Sequence, residues 1–432
     1  MPSATDLGAL LARLEEQGIR LGLERMAELL AALGSPERAV ATVLVGGTNG
    51  KGSTSALLER SLRAAGLRTG LYISPHLEDP VERIRVDGAC LSPDALGRLL
   101  DEICGKTPGL PTYFEAFTAA AFLAFARAGL DLAVVEVGMG GRLDATNLCA
   151  PELSLVSSID FDHQEYLGST LSAIAREKAG IFRPDRPALL LAGGAEATAA
   201  LLDAATTRRA AALDLTPWLA ASDVLASGWN GIEVRLATPA GTRDLHCSLA
   251  GRHQAGNLLL AVAAVEALRA GGRTIPEAAV VDGVSRCRWP GRLESVILPD
   301  GRRVLLDAAH NPGGVARLAE FLDERGEHFT LLFAALRDKE LARMLPPLAA
   351  RAETVVLTAA ASPRSATPEE LARWLAVDRP ARLETDRQRA LDAALGQETD
   401  LLVICGSIYL IGEMRRSLSQ RFGVPPAARE SE

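Results

Sequence analysis

The stretch that most restricts the fold lies near the N-terminus. There an apolar run, Ala41 to Val45, meets Gly46-Gly47-Thr48-Asn49-Gly50-Lys51-Gly52-Ser53-Thr54 and then a helical pattern reaching about Ala65. An unbroken β-branched run reads as a strand buried on both faces, and such strands belong to parallel sheets covered by helices. Glycines in the turn let backbone N–H groups face a polyphosphate, and the helix N-terminus that follows favours negative charge. Lys51 supplies a point charge for the β- and γ-phosphates, and Ser53 or Thr54 a hydroxyl near Mg2+. The candidate ATP contacts are thus Gly47, Thr48, Asn49, Gly50, Lys51, Gly52 and Ser53.

Short apolar runs recur at Thr69–Ile73, Leu132–Val137, Leu153–Ile159 and Ala188–Leu191, several with helical segments between them. Alternation of this kind predicts a three-layer α/β architecture. From about Asp214 to Ser248 the pattern becomes shorter and more alternating, as in an antiparallel patch, and His253 to Ala270 reads as a long alanine-rich helix. Trp289-Pro290-Gly291 breaks the pattern. A hairpin signal follows, with Asp300-Gly301 between Val296–Leu298 and Val304–Leu306, and then βα units with strands near Thr330–Ala334, Thr354–Leu357 and Leu401–Cys405. At 432 residues the chain suits two domains. We expect a larger α/β domain over 1–290, a smaller Rossmann-like α/β domain over 291–422, and a polar disordered tail over 423–432.

Composition excludes several classes of function. The net charge of −8 argues against broad attraction to nucleic acid or anionic membrane. Six scattered cysteines without a CxxC pair argue against a zinc site or a disulfide framework and fit a reducing compartment. No window reaches the ~18 uninterrupted apolar residues of a membrane span, and no signal peptide is apparent, so the expected location is cytoplasmic.

The phosphate loop departs from G-x-x-x-x-G-K-[ST]: Val45 stands five residues before Gly50, and Gly52 follows the lysine. The variant Gly47-Thr48-Asn49-Gly50-Lys51-Gly52-Ser53 instead resembles the Mur ligase superfamily, most closely its folylpolyglutamate synthase branch. That branch consists of ADP-forming acid–amino acid ligases. Collinear stretches extend the resemblance from about residue 20 to about residue 412. Among them are Leu21-Gly22-Leu23-Glu24-Arg25, Ser74-Pro75-His76, Tyr113-Phe114-Glu115, Glu136 to Asn147, Asp162-His163 and Glu177-Lys178-Ala179-Gly180-Ile181. Gly251 to Asn257, Pro290-Gly291-Arg292, Asp307 to Pro312 and Gly406-Ser407 complete the series.

The resemblance implies an N-terminal P-loop Mur-ligase-like domain and specific roles within it. It makes Ser74 and Glu136 magnesium ligands and His163 a ligand to a second Mg2+, although on its own His163 reads as an ordinary surface or core histidine. It implies that Lys178 is carboxylated, which turns a cation repelled by two metal ions into an anionic carbamate. Lys51, Lys178, His163 and Glu136 form the expected catalytic group. Asn257 resembles the adenine contact, Arg292 the arginine reaching the phosphates from the linker, and Asp307 and His310 the nucleotide and amino-acid contacts of the second domain. Ser407 resembles a contact to the incoming glutamate, though it also reads as a plain turn after a strand. Leu21, Gly22, Leu23, Phe114, Glu115, Thr118, Leu143, Asp144 and Ala145 resemble a pterin and substrate site. There Asp144 would accept paired hydrogen bonds from an aminopyrimidinone edge, and Phe114 would supply a packing ring.

The activity implied is ATP-dependent joining of L-glutamate to dihydropteroate and to the glutamate tails of reduced folates, through an acyl phosphate, by a monomer. One departure is Arg20, where some dual-activity members carry an aspartate. Two other readings stay open: a ligase that only lengthens folate tails or acts on another Mur-type substrate, and a P-loop ATPase or nucleotide-gated binding protein. The early loop argues against a separate UDP-binding domain before it, and Arg292 with Asp307–His310 argues against a simple switch.

Overall fold

The computed structural model describes residues 7–107, 109–376 and 379–425. Residues 426–432 of the expected tail lie outside that range, while Val424 is buried against the preceding helix region. The first eight strands in chain order are β1 Thr42–Gly46, β2 Thr69–Tyr72, β3 Ile84–Val86, β4 Ala89–Cys90, β5 Leu132–Glu136, β6 Leu153–Val156, β7 Pro187–Leu190 and β8 Ala211–Asp214. They form one sheet in the order β4-β3-β2-β5-β1-β6-β7-β8. Pairing is parallel from β2 to β8, and the antiparallel β3 and β4 form one edge, since only a loop and the short 3-10 turn Pro80–Arg83, and no α-helix, separate β2 from β3.

The three layers follow from the pleat, because alternate residues of a strand face opposite ways. Leu44, Tyr72, Val135 and Val156 point to one apolar core, shared with the helices Leu7–Glu15, Glu24–Ala32 and Tyr113–Ala128. Val43, Val45, Val134 and Leu155 point to the other, against the helices Lys51–Ala64, Gln254–Ala270 and Glu277–Ser285. Leu57 and Leu62 are fully buried there, each worth roughly 1.5–3 kcal/mol relative to exposure.

The antiparallel patch is present as β9 Asp223–Gly228, β10 Gly231–Thr238 and β11 Gly241–Cys247, a three-stranded sheet. The second large sheet contains β12 Glu294–Ile297, β13 Arg303–Asp307, β14 Phe329–Phe333, β15 Thr354–Leu357, β16 Arg382–Leu383 and β17 Leu401–Cys405. Its order is β12-β13-β17-β14-β15-β16, with the expected hairpin supplying antiparallel β12. Helices Pro312–Arg325 and Leu341–Ala349 cover one face and Arg387–Leu395 and Ile408–Phe422 the other. The chain therefore leaves β17 for the opposite side from its neighbours β13 and β14, which opens a crevice at their C-terminal ends. Among the described residues no helix is long and apolar enough to cross a membrane.

Candidate active site

Left-handed backbone shapes the phosphate loop. Gly47 and Gly50 have φ of 136° and 86°, and a Cβ on either would overlap Ser157 Oγ or Asn257 Oδ1 respectively. The loop is stapled to the segment after β6: Thr48 N donates to Ser158 O at 2.6 Å, Asn49 N to Ser158 Oγ at 3.0 Å, and Ser157 Oγ to Asn49 O at 2.7 Å. Sequence reasoning missed these two serines, whose signal is only an apolar run ending in Ser157-Ser158. Lys51 Nζ donates to Thr48 O at 3.1 Å, and Ser53 and Thr54 are buried in the first helical turn. A side chain at Gly52 would press on the Trp289 indole, so the linker closes over the loop. Asn257 donates to Gln254 Oε1 at 2.8 Å and sits directly over Gly50.

Glu136 ends β5 with its carboxylate 3.2 Å from the Ser74 N–H, so these two candidate ligands adjoin. Burial pushes its carboxyl above the usual range, while Lys51, the Ser74 N–H, Arg292 and Arg83 pull it back. Lys178 is 4% exposed, donates to Gly47 O at 2.7 Å, and is pushed down to about 7 by burial and by Lys51, against Asp162 and Asp144. Two runs of the sequence hold it there. Arg142 N donates to Glu177 O at 2.9 Å, and Gly141 and Gly180 leave room for the backbones of residues 177–178 and 142. Glu177, which reads alone as a solvated charge, pairs with the Arg142 guanidinium at 3.0 Å.

His163 has φ 50° and a side chain 44% exposed. Desolvation and the Lys339, Lys51 and Lys178 cations outweigh Asp162 and push its imidazole down to about 4, leaving it neutral at pH 7. Asp162 is the hub here. Burial alone would raise its carboxyl, but His310, His163 and Lys339 hold it well below the usual carboxylate range. Its partners across the linker are Lys339 at 2.7 Å and His310 at 3.7 Å, and Asn49 and Asn311 exchange amide hydrogen bonds at 3.3 and 2.9 Å. Lys339 escaped sequence reasoning because Asp338-Lys339-Glu340 reads as a charged surface turn.

Several expected ligand contacts also hold their own loops together. Asp307 accepts from Leu293 N at 2.8 Å and Ala309 N at 2.9 Å, so it shapes the linker and the turn before His310. Asp144 accepts from Met139 N at 2.9 Å and from Thr146 N and Oγ1 at 3.0 and 2.6 Å. That buried carboxylate is thus hydrogen-bonded within its own loop. Glu115 receives Thr112 N and Arg25, each at 2.9 Å, and so ties the Leu21–Leu23 turn to the helix Tyr113–Ala128. Thr118 is fully buried and shares a hydrogen bond with Tyr72 OH at 3.1 Å. Around them stand Leu21, 47% exposed, Gly22 at φ 129°, Leu23, half-buried Leu143, buried Ala145 and the Phe114 ring laid over Gly138.

Arg292 lines a small interdomain cavity with Pro75, Arg85, Trp289 and Ile408, within electrostatic reach of Glu136. Ser407 is 2% exposed at the N-terminus of the helix Ile408–Phe422, and its Oγ has no hydrogen-bond partner among the described residues.

Comparison with known proteins agrees with this geometry. The Mur ligase middle domain matches residues 45–265, and the Mur ligase glutamate ligase domain matches residues 291–408. A probable dihydrofolate synthetase of Schizosaccharomyces pombe is 34% identical over 93% of this chain and 99% of its own. The structure of Escherichia coli FolC in complex with DHPP and ADP superposes with a TM-score of 0.86 at 32% identity, covering 98% of this chain and 100% of the other. A bifunctional folylpolyglutamate synthase/dihydrofolate synthase with Mn, AMPPNP and L-glutamate bound gives a TM-score of 0.83 at 31% identity, over 96% and 99%. The chain belongs to the Mur ligase superfamily, in the dihydrofolate synthase/folylpolyglutamate synthase branch.

Proposed function

We propose that this protein is an ADP-forming ligase that joins L-glutamate to dihydropteroate and to the glutamate tails of reduced folates. The observation that carries this reading is the meeting of two arrays at the linker. Lys51, Lys178, Glu136 and Ser74 stand on the side of the first sheet, and His310, Lys339 and Ser407 at the crevice of the second. Division of the work falls at residue 291, with ATP and the pterin held by residues 1–290 and glutamate by residues 291–422.

The chemistry follows from charge. A carboxylate oxygen of the acceptor attacks the γ-phosphorus of ATP and ADP leaves, forming an acyl phosphate. The glutamate amine then attacks the acyl carbon, phosphate leaves, and the amine gives up a proton. Lys51 and Arg292 supply positive charge to the transferring group. The buried Ser407 hydroxyl, at a helix N-terminus, offers a donor to a carboxylate of glutamate.

The residues present fit divalent metal. Glu136 is a buried carboxylate that accepts the Ser74 N–H, the two residues carry hard oxygen donors of the kind Mg2+ takes, and the neutral His163 imidazole would ligate at a second site. Mg2+ bound there would neutralise the phosphate oxygens. Lys178 suits carboxylation, because CO2 adds only to a neutral amine and burial favours that form near pH 7. Glutamate-dependent ADP release, measured with dihydropteroate and separately with a preformed reduced folate, tests the reading. Release with the folate alone would leave a tail-lengthening synthase, and release with neither would overturn it.

A further inference from the structure

A buried ion cluster at the domain junction belongs to none of the ligand groups above. Arg415, on the helix Ile408–Phe422, has a side chain 4% exposed and faces two carboxylates. Its Nε lies 3.1 and 3.0 Å from the two oxygens of Glu294 and its Nη2 lies 2.9 Å from Glu294 Oε1, while its Nη1 reaches Glu78 Oε1 at 2.5 Å. Arg416 adds a hydrogen bond to the Glu78 carbonyl.

Each carboxylate belongs to a segment that leads into the candidate active site. Glu294 Oε2 also accepts Gly291 N at 2.9 Å, which fixes the turn carrying Arg292. Leu293, two residues after that glycine, sits at φ 45°, a backbone state a leucine holds only under constraint. Glu78 belongs to the loop that begins at Ser74. The second half of this loop is wrapped around the buried Glu82 carboxylate, which accepts the N–H groups of Leu77, Glu78 and Asp79, each at 2.8 Å. The loop is thus stiff, and its Leu77 carbonyl lies against Gly412 so closely that a Cβ there would collide with it. A displacement of the helix Ile408–Phe422 is therefore passed to Ser74 at one end and to Arg292 at the other.

We infer that Arg415 is a positioning residue for the phosphoryl-transfer site, coupling the second domain to the Ser74 loop through Glu78 and to the Arg292 turn through Glu294. It touches no substrate. A guanidinium is suited to the task because its planar fork serves two carboxylates at fixed angles, whereas an ammonium is a point charge that cannot. The inference rests on the proposed metal role of Ser74 and Glu136, so its test needs a readout that does not depend on which acceptor is used.

Arg415→Lys and Glu78→Gln, compared with the full-length wild type, provide that test. Calorimetric titration with AMPPNP at graded Mg2+ concentrations reads the site without acceptor or turnover. Both variants should weaken Mg2+-dependent nucleotide binding by roughly 10–100-fold, with secondary structure unchanged and dihydropteroate KM unmoved. In the ligase assay kcat should fall about a hundredfold, and the double variant should be no worse than the single ones. Wild-type nucleotide binding and Mg2+ dependence in both folded variants would overturn the inference, as would additive losses in the double variant. Unfolding of both would reduce the cluster to a scaffold contact and overturn it too. If the wild type binds Mg2+–AMPPNP but ligates no glutamate, the proposed function fails while the titration still judges Arg415.

Discussion

Single side chains carry the clearest expectations. Glu136 is a buried carboxylate whose ionised form is disfavoured by desolvation, so it costs the free protein stability that a ligand can offset. Glu136→Gln should therefore lower turnover by more than about a hundredfold while leaving Tm equal or higher, read by coupled ADP assay and calorimetry. A lower Tm would make it a structural residue. Lys178 allows a check through pH. Its folded value near 7 lies below the ordinary lysine value of 10.5, so between these the unfolded chain binds the extra proton. Stability should then rise with pH from about 7 upward, by at most roughly 1.4 kcal/mol per pH unit, in CO2-free buffer. Lys178→Met should flatten that slope, and an unchanged slope would show that Lys178 is not its source. Activity of the wild type should fall as pH drops through 7 and should depend on dissolved CO2, because the protonated amine cannot form a carbamate.

The loops between strands and helices show that a residue type alone leaves a side chain's local role open. Asp144 and Asp307 carry the chemistry of ligand contacts, yet both spend their oxygens on backbone N–H groups within two to fourteen residues along the chain. Aspartate is favoured in such turns because its short side chain reaches neighbouring donors. Asp144→Asn removes an acceptor from a buried site and should cost about 1–3 kcal/mol. Dihydropteroate ligation and glutamate addition to a preformed folate should weaken by similar factors, since the loop bounding the pocket shifts as a whole. A loss confined to dihydropteroate at unchanged Tm would instead put the carboxylate on the pterin. The paired-glycine run and the Lys178 run illustrate the opposite lesson. Gly141 and Gly180 give no hint of each other in the sequence, but the packing of one backbone on the other is what sets Lys178 beneath the phosphate loop.

For the molecule as a whole, polar bridges and apolar packing alternate along the domain junction. Asp162–Lys339 and the Asn49–Asn311 amide pair bridge it near the phosphate loop, while Trp229 packs edge-on against Phe321 at 5.3 Å beside the Arg325–Ser227 hydrogen bond. Polar bridges of this kind exchange readily with water or with ligand groups, which suits hinge closure about the linker. Small-angle scattering should report a smaller radius of gyration with Mg2+ and a non-hydrolysable ATP analogue than without, and Lys339→Ala should shift the free protein toward the larger value. Identical profiles in all three states would rule out closure at this junction.

The α/β class, the phosphate loop, the hairpin at Asp300-Gly301 and the order of the motifs were all legible along the chain, because each depends on the local period of apolar residues or on turn chemistry within a few positions. Side-chain direction was not. Whether Glu136 faces Lys51, which serines staple the loop, and that Lys339 and Arg415 cross the junction all depend on contacts between residues tens to hundreds of positions apart. Such contacts are set by the pairing of strands and the docking of two sheets, and no local pattern records them.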